Sequence, residues 1–583
     1  MWSAQPRSLT QSAREAKRLQ QRAASLKKPR AILHLEKLLA HVSNTWLGSS
    51  LHMNARIKNR LSICRDKRRQ ISKRLKSLNW LAMAIIWAGL PAHARVFYVD
   101  VDEGSDSNPG TSTNSAWAHL PGTVGFSVPG WTRIDGGDTI LVKGGTTNYV
   151  RVTFDTAYYS GKTVFDSIVI QSGHLAGWGS GRAIFDGQNT RTGGFLINGN
   201  GITVDGFEIR EIKAGANPPI DERTGSCCIG ILQANFITVK RCWLHNAYSR
   251  GPSTDVGHGI EMSGGTNFIF TQNQIGPTIQ MKGIEPYRAS FGVISNNFFS
   301  GVYEHCLSMN TSSNWDLCNN LIRHDPPYGP EPSWAISVAG CHNLDVWNNV
   351  IFRTLPVIEA PPLYFGLAIG MYGNNSSNRF ACNTIAFFND TANGGSHQTA
   401  ISIERGPNVN IATGFYNNLV YSNYNVLGPV AYCVSPDITT LNEVMYCDFF
   451  AASSNETVMS FEVNGSDELR TVANFAPSCG KYTHNVQVDP GFTSGVMPSG
   501  LDSNGHPNSP FFQLSTNSPP AVTATYNELL GDPVHGYDHS VDKFSLDIVG
   551  RRRTAWSMGA YEAVTGIAPR PRPPTGLRII AGP

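Results

Sequence analysis

The chain has 583 residues, 41% apolar and 15% charged, long enough for one extended repeat body or for several domains. Its net charge of +4 hides an uneven split: residues 1–94 hold 19 Lys and Arg against 3 Asp and Glu, leaving 28 against 40 for the rest. So acidic a body argues against a nucleic-acid partner, and no Gly-rich loop with its Lys and no metal-spaced His pair points to a nucleotide, haem or redox cofactor.

In chain order, residues 1–78 are a basic leader without a core pattern. Lys73, Arg74 and Lys76, the apolar run Trp80 to Leu90 and then Pro91-Ala92-His93-Ala94 read as a secretory signal over 79–94, with cleavage expected after Ala94. The run is short for a membrane span. The leader then belongs to no domain, and translation starting later, for example at Met53, fits it. A secreted, periplasmic or cell-surface protein with no integral membrane span after signal removal is expected. Residues 95–200 read as an N-terminal cap and first coils. Val96 to Asp100 opens a strand, Asp102, Glu103 and Asp106 form an acidic turn, solvated or holding Ca²⁺, and Thr139–Val142 and Ser167–Ile170 alternate.

Residues 201–425 repeat a six-residue phrase: apolar, any, any, a fourth position, any, apolar. The copies are Val204–Ile209, Val239–Leu244, Phe270–Ile275, Ile294–Phe299, Leu317–Ile322, Val346–Ile351, Phe380–Ile385 and Phe415–Val420. The fourth position is Phe207, Cys242, then Asn273, Asn297, Asn320, Asn349, Asn383 and Asn418. A unit of this length cannot bury its own apolar face, so it must stack. The phrases are too short and too rich in Val, Ile, Phe and Asn for helices, so each repeat is a coil of strands. An Asn recurring at one place predicts a ladder of side-chain amides at a bend, in left-handed backbone geometry.

The phrases, the Asn ladder and the variable coil length resemble the right-handed parallel β-helix proteins, the pectin-lyase-like superfamily. The resemblance covers roughly residues 95–565 and implies an all-β solenoid of about ten coils with caps at both ends. Residues 426–565 then form irregular coils and a C-terminal cap, with Val488 to Phe492 and Gly559 to Glu562 as closing segments, and 566–583 a Pro-rich tail. Cys242, Cys318, Cys341 and Cys382 read as buried stack members, and Cys433 with Cys447 is the preferred disulfide.

Aligning the second strand of each coil places Gly259-Ile260-Glu261, Gly283-Ile284-Glu285, Cys306-Leu307-Ser308 and Ala335-Ile336-Ser337 in register. Glu261 and Glu285 then point outward on adjacent coils about 5 Å apart, and need a proton, a cation or a base between them. His258, Lys282 and His305 form a second column, with Arg288 and Glu304 close by, and Tyr287, Tyr303 and Trp334 offer faces on which sugars stack.

Two chemistries suit this cluster. In β-elimination on a uronic-acid polysaccharide, Glu261 and Glu285 hold a cation such as Ca²⁺, Lys282 or Arg288 is base or neutraliser, and His258 or His305 assists. That polysaccharide-lyase reading is preferred, with a monomer acting on an acidic polysaccharide. In glycoside hydrolysis, Glu261 and Glu285 are themselves the working pair. Val256-Gly257-His258-Gly259 resembles the Gly-His-Gly of polygalacturonase-type hydrolases, but the acid pair of those enzymes has no counterpart in Gly225-Ser226-Cys227-Cys228-Ile229. The rival from another class is a non-catalytic surface or glycan-binding module using the same face.

Overall fold

The computed structural model describes residues 94–563 except 124–125, 127–133, 162, 164–165, 190–193, 214–226, 249–256, 326–332, 355–366, 389–399, 404–412, 423–442, 446, 452–458, 464–465, 471–481, 484, 494, 516, 524–545 and 554–556. The leader, the apolar signal run, the Pro-rich tail, Val256 and Cys433 lie outside the described residues.

Three long sheets carry the body. One of 13 strands runs from Val96–Val99 to Tyr482–Thr483, one of 11 from Thr147–Asn148 to Asp448–Ala451, and one of nine from Val152–Phe154 to Ile401–Ile403. Every pairing within them is parallel, and successive coils contribute successive strands to each sheet. The protein is a right-handed parallel β-helix, the hand that parallel crossovers of L-residues favour. Its core is one continuous column set that includes Val204, Phe270, Ile294, Leu317, Val346, Phe380 and Phe415, the first residues of the repeated phrases. Trp315 belongs to this core, fully buried and stacked on Phe268. No described helix is long and apolar enough to cross a membrane.

The fourth positions form a hydrogen-bonded ladder. Asn273 Nδ2 donates to Asn297 Oδ1 (3.0 Å), Asn297 to Asn320 (3.0 Å), Asn320 to Asn349 (2.9 Å), Asn349 to Asn383 (3.0 Å) and Asn383 to Asn418 (2.9 Å). The left-handed backbone expected of these asparagines belongs instead to the residue before each: Gln272, Asn296, Asn319, Asn348, Cys382 and Asn417 have φ between 52° and 57°. The bend thus turns the ladder amide inward, where its N–H₂ also meets a carbonyl of the preceding coil, as Asn320 Nδ2 meets Ile294 O at 2.9 Å.

At the N-terminal end, Asp100 and Asp106 are engaged by protein donors. Asp100 takes Lys143 Nζ at 2.7 Å, and Asp106 takes the backbone N–H groups of Ala118 and His119 and the His119 ring. At the other end, the closing residues run along the side of the solenoid. Phe512, Ile548, Ala560 and Tyr561 cover Phe298, Leu321, Val350, Phe352 and Ala386 on the outer face of the 11-stranded sheet. Arg553 Nη2 donates to Asn348 Oδ1 (2.8 Å), Ala560 N to Thr384 Oγ1 (2.9 Å) and Gly559 N to Asn417 O (2.8 Å). Cys242, Cys318, Cys341, Cys382 and Cys447 are all buried.

Candidate active site

The nine-stranded sheet presents the charged face. Its strands Cys227–Leu232, His258–Ser263, Lys282–Tyr287, His305–Asn310, Trp334–Ala339 and Leu367–Tyr372 lie side by side, with Glu261 opposite Glu285 and Lys282 opposite His305.

Strict alternation would send His258 inward with Ile260 and Met262. The strands instead begin at the coil corner with two consecutive inward residues. Cys228 and Ile229, Cys306 and Leu307, and Ala335 and Ile336 are all core. Gly259 and Gly283 occupy the same inward place: a Cβ on Gly259 would lie 3.2 Å from Ile275 Cγ2, and one on Gly283 2.9 Å from Phe299 Cδ1. A small residue followed by an aliphatic one therefore brings positions three apart onto one outer face. That is why His258 stands beside Glu261, and Lys282 beside Glu285.

The geometry is compact. His258 Nδ1 lies 3.7 Å from Glu261 Oε2 and 3.5 Å from Glu285 Oε2. Lys282 Nζ donates to Glu285 Oε1 at 3.0 Å, and Ser308 Oγ donates to the same oxygen at 3.2 Å. The two carboxylates are not equivalent: the Glu285 side chain is 7% exposed and that of Glu261 18%. The repulsion inherent in stacked glutamates is thus met from within the chain by the Lys282 ammonium, with the His258 ring standing beside both carboxylates.

His305 has a different role. Its Nδ1 accepts the Trp334 N–H (3.1 Å), its Nε2 lies 3.4 Å from Glu304 Oε1, and its ring stacks on Trp334. Burial, with Lys282 and His324 nearby, pushes its pKa down to about 3, so the ring is neutral at ordinary pH. His324, whose Nε2 faces Glu304 O at 3.2 Å, is pushed down to about 4 by burial and by Arg353.

The remaining sequence candidates scatter. Arg288 is exposed at the left-handed turn after its strand, its guanidinium over the Tyr287 ring at 4.8 Å. Tyr287 shares the outer face with Glu285, two residues on. Tyr303 stands at the corner leading into His305–Asn310, near Tyr248, whose pKa is raised by burial and then by Glu211 and Tyr303. Trp334 lies over the nine-stranded sheet two coils from Glu285, with Tyr372 edge-on to it at 5.0 Å.

His258, Glu261 and Glu285 offer ligand atoms within 4.8 Å of one another, the natural place for a cation. Ca²⁺ does not fit this donor set. It takes six to eight oxygens, whereas one donor here is an imidazole nitrogen and Glu285 already accepts the Lys282 ammonium. Mixed nitrogen and carboxylate donors suit a transition-type divalent ion better.

No known protein-family signature matches the chain, and no curated protein matches its sequence. Among solved structures it is similar to pectate lyase Pel9A, at 15% identity and a TM-score of 0.44 over 81% of this chain and 96% of that one. A rhamnogalacturonan lyase stands at 14% and 0.46, over 73% and 97%. The GH136 lacto-N-biosidase from Eubacterium ramulus stands at 12% and 0.41, over 68% and 69%. The likeness is one of fold.

Three contributors to this face escape a reading of the sequence. Ser308 falls in the aligned column, but alignment does not reveal it as a donor to Glu285. Cys227, the register partner of His258, is fully buried, and burial together with the charge of Glu261 raises its thiol pKa well above the usual value. Tyr372 stands as far along its strand from Leu367 as Tyr287 does from Lys282, a signal hidden by the long insertion at 355–366.

Proposed function

We propose that this chain is a secreted or cell-surface carbohydrate-active enzyme that hydrolyses a polysaccharide across Glu261 and Glu285. The observation that supports this most is the unequal setting of two glutamates one coil apart. Paired carboxylates with different surroundings are the means by which one fold supplies both an acid and an anion. Glu285, with Lys282 and Ser308 on one oxygen, serves as the carboxylate that meets the positive charge developing at the sugar carbon. Glu261, more open to the surface, carries the proton to the leaving oxygen and takes it back from water. His258, within reach of both, passes protons between them.

Glycosidases whose carboxyl groups stand about 5 Å apart retain anomeric configuration, and adjacent coils are about 4.8 Å apart. Retention is therefore the stereochemical expectation. The preferred sequence reading, β-elimination, becomes the second one. It needs a neutral base, yet Lys282 is engaged by Glu285, His305 Nδ1 is occupied by a backbone N–H and Arg288 lies over Tyr287, which leaves His258, flanked by both carboxylates, as the base elimination would use. Lys282 still favours it in one respect: its ammonium, placed at the pair, would neutralise a uronate carboxyl.

The deciding experiment incubates the protein with neutral and acidic polysaccharides and monitors new reducing ends and unsaturated-uronate absorbance together. Reducing ends without absorbance, lost in Glu285→Gln and Glu261→Gln, support hydrolysis. Absorbance lost in Lys282→Ala supports elimination. Binding without either signal moves the protein to the non-catalytic class.

A further inference from the structure

Beyond the charged pair, the outer face of the nine-stranded sheet changes character coil by coil. The column that holds Glu261 and Glu285 continues as Ser308, Ser337 and Gly370. Glu285 and Ser308 share this column because Ile284 pairs with Leu307. The charged half ends at Glu285, and the rest of the column is uncharged and small.

Trp334 dominates that second half. It is rooted in the column of His258, Lys282 and His305, but its ring spreads over the next coil: a Cβ on Gly370 would lie 1.9 Å from Trp334 Cε3. Only a glycine lets the indole lie flat there. Tyr372 stands edge-on to the indole, and its hydroxyl is 3.1 Å from Ser337 Oγ, so the two rings roof Ser337 and Gly370 together. The His305 ring is stacked with the indole, the ring centroids 5.8 Å apart. Both Trp334 and Tyr372 remain partly open to solvent, whereas core aromatics such as Trp315 are wholly buried. A flat indole held by three neighbours and lying outside the sheet is a preformed stacking surface with little rotamer freedom left to lose on binding.

We propose that Trp334, backed by Tyr372, is a binding subsite for the apolar face of a neutral pyranose ring, two coils along the solenoid axis from the carboxylate pair. The subsite rests on the reading of this face as a glycan-cleaving site and specifies what that site takes. Trp334 is rooted two coils from Glu285 and its ring reaches over the third, so the span is about 10–14 Å, bridged by a short oligosaccharide running parallel to the axis. The sugar is neutral because the side chains beneath it, Ser337, Ala339 and Gly370, carry no charge, because Lys282 is held by Glu285, and because Glu304, 3.4 Å from His305 Nε2, would repel a uronate. The substrate class is a glycan with an uncharged hexose or pentose at that distance from the bond cut.

The test uses the full chain carrying Glu285→Gln, so that bound glycan is not consumed. Affinity for cellohexaose, mannohexaose, xylohexaose and hexagalacturonate is measured by titration calorimetry with Trp334, Trp334→Ala and Trp334→Phe, and the melting temperature of each variant is recorded. The expected result is binding of at least one neutral hexamer, weakened tenfold or more by Trp334→Ala and largely restored by Trp334→Phe. Unchanged affinity in Trp334→Ala, binding confined to hexagalacturonate, or no binding by any probe overturns the subsite. The cleavage reading is judged separately, by turnover in Glu261→Gln and Glu285→Gln chains with Trp334 intact. A subsite that stands while those variants still turn over removes Glu261 and Glu285 from the chemistry, and one that stands with no turnover by the unaltered chain leaves a glycan-binding face.

Discussion

Lys282 Nζ stands 3.0 Å from Glu285 Oε1, three residues away on the same strand, and both side chains are largely shielded from water. Breaking a buried pair leaves one charge without its partner. Lys282→Met is expected to destabilise the protein by about 3 kcal/mol, read by chemical denaturation. Adding Glu285→Gln should recover most of that loss, because the stranded charge is then gone.

If Glu261 is the proton donor, its importance depends on the leaving group. Glu261→Gln should lower kcat on a polysaccharide by roughly 10²–10⁴. On an aryl glycoside with an acidic phenol, which leaves without help, the loss should be far smaller. Equal losses on both substrates would remove Glu261 from that role.

The small inward residue at the start of each strand sets the position of the site. A Cβ at Gly283 would lie 2.5 Å from Cys306 O and 2.9 Å from Phe299 Cδ1. Gly283→Ala should destabilise by about 1–3 kcal/mol through overpacking. It should also reduce activity beyond what the stability loss explains, since the shift is passed to Lys282 and Glu285 on either side.

Asn320 lies mid-ladder: it accepts from Asn297 N and Nδ2 and donates to Ile294 O and Asn349 Oδ1. Asn320→Ala leaves several buried polar groups without partners, each worth about 1–3 kcal/mol. A total loss of about 3–5 kcal/mol is expected by denaturant unfolding, with Asn320→Asp also destabilising because it cannot donate.

His305 and His324 hold folded pKa values of about 3 and about 4, below the ordinary histidine value. Above about pH 6.5 both are neutral folded or unfolded and have no effect. Below that the unfolded chain takes up protons the folded one refuses, so stability falls as pH drops toward 4, by up to about 1.4 kcal/mol per pH unit for each ring. His324→Gln should flatten that slope in a pH series of melts.

The coil phrase is legible because side chains that meet in a stack must repeat in sequence. Asn273 through Asn418 and the register of Glu261 with Glu285 are set by that alone. The left-handed turn falls one residue before the place the Asn pattern suggests, since an inward amide and a bent backbone leave the same signature. Trp334 and Glu261 are legible as types, but their settings are not. Whether Lys282 serves Glu285 or faces solvent depends on rotamers and on neighbours such as Ser308 that no spacing rule identifies. The closing segment carries the weakest signal, as Phe512 and Ile548 meet partners more than a hundred residues away.

The closing segment grips Asn348, Thr384 and Asn417, one residue on each of three successive coils. Solenoids commonly grow or shrink by whole repeats, because each unit touches only its neighbours. Here a coil inserted between Asn348 and Asn417 would slide one anchor about 4.8 Å past its partner. The segment works as a ruler, tying the number of turns in this stretch to a fixed count and, with Gly505 lying against Gln272 and Asn296, leaving only the coils before Gln272 free to vary.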